Sequence, residues 1–307
     1  MTMTANLRAS LLMAASMAGF TTNDALVKSL GGAVNAGQIM FVRGAIMMVF
    51  LGIFMRLART PMPVRKALTG AMTLRVTGEI LGTVFFLFAL FHMPLANVSA
   101  VLQALPLAVT LGAALVLRET VGIRRLSAIL IGFAGVVIII RPGLEGFTIY
   151  SLSALCTVFF AAMRDLATRR LPHDIPALSV SLLTTIAVSV SGLVMMTFLG
   201  GWQPLSFTDI AALGGSAVFL FIGYQCIVLA LRGGDIHIVA PFRYASLLWS
   251  IILGMTFFGE WPDAFTLTGA AIIVATGLYT LYRERVVSRK ATAASISAAS
   301  PPPARGT

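Results

Sequence analysis

Charge is scarce in this chain. Of its 307 residues only 11% are Asp, Glu, Lys or Arg, where a soluble domain carries about 25%. Acidic residues are the rarer sign, 11 against 22 basic ones. The two cysteines, Cys156 and Cys226, both lie inside apolar runs and define no disulfide framework. His92, His173 and His237 stand at the ends of apolar runs without metal-ligand spacing, and there is no HExxH pair, P-loop or dinucleotide fingerprint. These absences exclude a disulfide scaffold, a soluble enzyme and a self-contained ATP-driven pump, and imply no metal or cofactor.

What is abundant is apolar surface. Hydrophobic residues make up 58% of the chain, more than one water-facing globule of this length can hide. A span needs about 20 mostly apolar residues to cross a hydrocarbon core about 30 Å thick. Ten segments qualify: 9–28, 38–57, 73–93, 95–117, 123–140, 147–166, 176–199, 210–231, 236–258 and 264–282. The net charge of +11 is not read as a nucleic-acid footprint, because most Lys and Arg sit in the short gaps between these runs. Counted on alternate sides, 18 of the 22 fall on one side and only Lys28 and Arg141 on the other, with Arg43 and Arg243 inside spans. The positive-inside bias then predicts that both termini are cytoplasmic. Residues 288–307, rich in Ala, Ser and Pro, are expected to form a disordered cytoplasmic tail.

The halves repeat. A gapless shift of 141 residues lays Ser10 on Ser151, Asp24 on Asp165, Gly82 on Gly223 and Glu119 on Glu260. Five spans per copy is an odd number, so the second copy enters the membrane upside down. The predicted fold is therefore an all-α integral membrane protein of ten transmembrane helices in two inverted five-helix repeats, 1–142 and 143–287. Inverted repeats are a construction of secondary transporters, with the substrate site near mid-membrane between the copies.

Polar residues inside spans are the candidates for that site. Arg43, deep in the second span, needs a partner, a water path or a ligand, since an unpaired buried charge is costly. Pairing with Asp24 and contact with substrate both answer that need. Arg243 lies at similar depth in the ninth span with Tyr244 beside it and Trp249 following, an arrangement suited to a planar or anionic ligand. The fourth span carries Asn97, Gln103 and Pro106; the proline frees a carbonyl at depth, and Gln103 either lines a polar site or joins helices. Arg75 and Glu79 stand at i, i+4 spacing, so a local ion pair is expected, with proton carriage by Glu79 as the other reading. Asp24 is the second candidate for coupling, and its ordinary partner would be Lys28. Asp165, flanked by Arg164, Arg169 and Arg170, is expected at the interface.

The segments VLRET over 116–120 and FGEWP over 258–262 resemble the span-end motif of the drug/metabolite transporter superfamily, in its ten-helix EamA-type branch. The resemblance covers residues 8–285 and matches Arg43 to an arginine common in that family's second helix. Arg118 stands where Gly is usual, so the first copy's inner turn is expected to differ. The resemblance implies a multi-pass protein of a bacterial cytoplasmic membrane whose partners are the lipid bilayer and a small-molecule substrate, without nucleic acid; a homodimer is left open. Residues 11–28, LLMAASMAGFTTNDALVK, also resemble bacterial members that import riboflavin. On that resemblance Tyr224, Tyr244 or Trp249 would stack on an isoalloxazine ring while Asn97 or Gln103 would bond its pyrimidine edge. Riboflavin uptake is thus the leading expectation, export of amino acids or other metabolites the alternative. An intramembrane enzyme or a structural subunit stands further off, because the spans offer scattered single polar residues rather than a convergent nucleophile and base.

Overall fold

In a bilayer every backbone polar group must be satisfied within the chain, which leaves helices as the way to thread these apolar runs across it. The computed structural model describes residues 3–62, 69–118, 122–142, 148–172 and 174–299, and among them there is no strand. The helices are α1 (Met3–Ser29), α2 (Ala36–Leu57), α3 (Gly70–His92), α4 (Leu95–Leu102), α5 (Leu105–Val116), α6 (Ile123–Ile140), α7 (Ile149–Thr168), α8 (Ala177–Phe198), α9 (Phe207–Gly233), α10 (Ile236–Val239), α11 (Ala245–Phe258) and α12 (Ala264–Ala299). A 3-10 turn over Ala240–Tyr244 joins α10 to α11. With α4 and α5 as span four, and α10 through α11 as span nine, the helices form ten spans. Asn35, Thr69, Thr148 and Ser206 cap α2, α3, α7 and α9 with their side chains, each accepting from a first-turn N–H. Helix α12 runs on through Ala299, with no Gly or Pro between Gly277 and Pro301 to interrupt it.

The packing is two-fold. Span one lies chiefly on span eight, three on six, two on seven, and five on ten. Adding five to each number converts the first pair into the second and returns the other two to themselves, the signature of inverted copies. Lipid offers no hydrophobic drive for helix association, so close approach of backbones has to supply it. Spans five and ten cross at Gly135 and Gly269, where a Cβ on Gly135 would meet the Gly269 carbonyl at 2.8 Å.

Spans four and nine are both broken, and the breaks superpose under the repeat shift, which lays Gln103 on Tyr244. Pro106 at the start of α5 and Pro241 in the 3-10 turn each lack the N–H that a continuous helix would use. Gln103 Nε2 donates to Ser246 Oγ, and Ser246 Oγ to the Arg243 carbonyl at 3.1 Å, so a side-chain chain stitches one break to the other.

At the opposite side from the 58–72 loop, one ion pair closes two helix ends. Lys28 Nζ lies 2.8 Å from Glu260 Oε1, with the two side chains 9% and 21% exposed. Lys28 also donates to the carbonyls of Leu90 and Met93, at the end of α3. Glu260 Oε2 accepts the Leu95 N–H at 2.7 Å, at the start of α4, where Pro94 offers no side-chain cap. Lysine thus serves a helix C-terminus and glutamate a helix N-terminus, each at the end that suits its charge. Lys28 was expected beside Asp24 on its own helix; the open carbonyls of α3 and the carboxylate of Glu260 draw it away. Glu260 reaches this place because Gly259 ends α11 at φ 63°, turning the chain so that the Glu260 N–H bonds the Gly254 carbonyl at 2.9 Å. Arg118, the repeat counterpart of Gly259, takes the same left-handed turn at φ 56°. That corrects the expectation of a different turn there: the arginine adopts the glycine conformation, at a cost of about 1–2 kcal/mol. Glu119 lies outside the described residues.

Breaking this clamp on one side should cost more than removing both charges. Lys28→Met strands a mostly buried carboxylate and is expected to destabilise by about 3–5 kcal/mol. Lys28→Met combined with Glu260→Gln, which keeps an acceptor for Leu95, should recover most of that loss in thermal unfolding of the detergent-solubilised protein. A double variant no more stable than Lys28→Met alone would show that the pair does not act as a unit.

Candidate functional site

Span one brings its polar residues to the centre. Thr21, Asn23 and Asp24 share a turn of α1, and Asn23 is 3% exposed. Asn23 Nδ2 donates to Asp24 Oδ1 at 2.9 Å, and Arg43 Nη1 from span two reaches Asn23 Oδ1 at 3.4 Å. Arg43 therefore meets Asp24 through an amide; no direct ion pair joins them among the described residues. One turn away, Thr21 Oγ1 lies 3.5 Å from the Ser246 carbonyl, which sets the breaks of spans four and nine beside this layer.

Tyr224 of span eight faces the same space. It is in electrostatic range of Arg43, Arg75, Glu79 and Arg164, on spans two, three and six, yet 48% of its surface is open. Tyr224 thus stands on the side of span eight turned toward the charged residues of spans two, three and six, with its ring half exposed. Phe20, four residues before Asp24 and on the same face of α1, meets the Tyr224 ring edge-on at 5.2 Å. Arg43 and Asp24 are each half-buried.

Glu79 has a different partner from the expected one. Arg164 of span six reaches its two carboxylate oxygens at 3.3 and 3.4 Å and also holds Asp165 through Nε at 2.8 Å. Arg75 instead donates to Thr168. The tight packing of span three on span six places Arg164 across from Glu79, and that contact outcompetes the i, i+4 neighbour. The repeat shift lays Arg164 and Asp165 on Asn23 and Asp24, and the bond between adjacent side chains recurs in both copies.

The remaining candidates stand apart from this group. Asn97 accepts from Thr266 at 3.0 Å, joining span four to span ten. Gln103, 8% exposed, is committed to Ser246. Arg243 is exposed in the 3-10 turn, Tyr244 lies against Gly277 of α12, and Trp249 is exposed. His173 and the side chain of His237 lie outside the described residues. An apolar recess of about 560 Å³ opens between Val137, Pro142 and Phe265, at the ends of spans five and ten and away from the polar cluster. Asn23, Arg164, Ser246 and Phe20 were not singled out as site residues from the sequence. Asn23 and Phe20 carried a signal, since both lie within a turn of Asp24; Arg164 and Ser246 depend on which spans touch.

A broken-helix bundle of two inverted copies, with charged and polar side chains placed inside its spans, defines a secondary transporter of small molecules. Residues 7–141 and 148–282 each match the EamA-like transporter family, and the chain belongs to that family. It is 30% identical to the riboflavin transporter of Vibrio cholerae over 82% of this chain and 85% of that one. Similarity extends to the pseudopaline exporter CntI of Pseudomonas aeruginosa, 28% identical over 83% of this chain and 89% of that one. An S-adenosylmethionine uptake transporter of Rickettsia conorii is 24% identical over 88% and 91% respectively. A crystal structure 20% identical to this chain shares the fold with a TM-score of 0.62, covering 89% of this chain and 96% of its own.

The cross-span pair makes a testable demand on stability. Arg164→Ala removes the ion-pair partner of Glu79 and should lower the unfolding temperature clearly, whereas Arg75→Ala, which forfeits a hydroxyl contact and a more distant attraction to Glu79, should lower it less. Equal losses, measured side by side in the same detergent, would return Glu79 to a local pair with Arg75.

Proposed function

We propose that this chain carries riboflavin inward across the cytoplasmic membrane of a bacterium, with both termini in the cytoplasm. The observation that carries the reading is the group of Arg43, Asn23, Asp24, Phe20 and Tyr224 inside the spans: two aromatic rings beside a donor and an acceptor. A flat, uncharged, hydrogen-bonding ring suits such a lining. Similarity to riboflavin transporters of Vibrio cholerae and Brucella anthropi supports the same reading. Arg43 and Tyr224 contact the substrate, Asp24 and Glu79 are the coupling carboxylates, and Asn97, Gln103, Arg243, Tyr244 and Trp249 shape the broken helices that flank the path.

The orientation rests on the charge asymmetry of the loops. A cysteine at Thr208 should react with a membrane-impermeant maleimide in intact cells, and one at Ala58 only after permeabilisation. Reaction of the Ala58 variant in intact cells would reverse the topology.

Transport is tested in a riboflavin-auxotrophic bacterium lacking its own importer. Expression of this chain should restore growth on limiting riboflavin and accumulate labelled riboflavin, and Arg43→Ala should abolish both while Arg289→Ala does not. Confirmed membrane expression without uptake would discard the importer and favour an exporter.

A further inference from the structure

We infer that the Arg43, Asn23 and Asp24 group reads a cyclic imide edge, a ring N–H flanked by carbonyls, and that this edge selects the substrate. The inference rests on the riboflavin reading and adds the atoms by which the ring is recognised, since the isoalloxazine system carries one imide edge. Asn23 is buried, and both ends of its amide are occupied, Nδ2 by Asp24 and Oδ1 by Arg43. The amide is therefore a spacer rather than a ligand. It holds a guanidinium and a carboxylate side by side without letting them neutralise each other.

Each charged group keeps capacity for a ligand. Asp24 uses one oxygen on Asn23, and the other can accept. Arg43 uses one N–H on Asn23 and has four more to donate. An acceptor next to a donor complements an imide: the ring N–H bonds Asp24 while the adjacent carbonyl bonds Arg43. Phe20 rises from the same face of α1 as Asp24, and Tyr224 stands edge-on to it, with 75° between the rings. One ring presents a face for stacking while the other closes the side.

Charge balance argues against a strongly ionic substrate. The guanidiniums of Arg43, Arg75 and Arg164 stand within electrostatic range of carboxylates at Asp24, Glu79 and Asp165, so the cluster offers no large excess of either sign to a polyanion or a polycation. A neutral ring that both donates and accepts satisfies Asp24 and Arg43 together, and leaves no buried ion of its own to pair.

The test varies the ligand and leaves the protein intact. Purified full-length chain in lipid nanodiscs is titrated with riboflavin and with its N3-methyl derivative, following quenching of flavin fluorescence. N3-methylation removes the imide donor and places a methyl against Asp24, so binding should weaken about tenfold or more. In Asp24→Ala, checked for retained thermal stability, the two flavins should bind alike. Equal affinity of both flavins for the unaltered chain would overturn the imide reading while riboflavin transport stands. Displacement of riboflavin by free methionine would also overturn it, assigning Asp24 and Arg43 to an amino-acid head group. Absence of any riboflavin binding, together with absence of uptake, would remove both readings.

Discussion

The clamp between Lys28 and Glu260 is the constraint around which one end of the helix bundle is arranged. Helix ends carry unsatisfied backbone groups, and near a membrane those groups cannot all turn to water. Here the carbonyls closing α3 and the N–H opening α4 are served by two side chains that also neutralise each other. One contact therefore fixes the angle between spans three and four, anchors the end of span one, and ties the connection between spans nine and ten to both. The left-handed turn at Gly259 exists in service of that contact, which gives the Gly-Glu pair a physical meaning beyond its recurrence in the family.

Because these helix ends are held this way, the polar residues deeper in span one need not be spent on structure. Asp24 keeps only a neighbouring amide, and Arg43 reaches the same amide from span two. In the second copy the corresponding positions hold Arg164 and Asp165, and the arginine is drawn into an ion pair with Glu79. The repeats are alike in backbone and unlike in charge: one half has a locked pair where the other has an amide between two open groups. On the proposed reading substrate contacts fall to the open half, since charges already paired to each other have less to offer a ligand.

Much of this architecture was legible in the sequence. Ten apolar runs, their odd number per copy and the recurrence of Asp, Gly and Glu after 141 residues were enough for two inverted five-helix repeats. Pro106 announced the break in span four. Arg43 and Asp24 stood out because charge inside a span always demands an explanation. Asn97 was legible as polar and Gln103 as a site residue or a helix joiner, but their partners were not: Thr266 and Ser246 lie 169 and 143 residues away.

Composition and periodicity thus determined the class of the molecule, its span count, its symmetry and the short set of charges placed at depth. Only the tertiary structure decided who meets whom. Lys28 goes to Glu260 rather than Asp24, and Glu79 to Arg164, 85 residues away, rather than to Arg75. The reason is geometric: helical spacing names neighbours within a turn, whereas contacts between spans follow from the two-fold packing that sets one on eight and three on six. Within a low-dielectric bundle, an opposite charge delivered by that packing outweighs a local one that can turn away toward the interface.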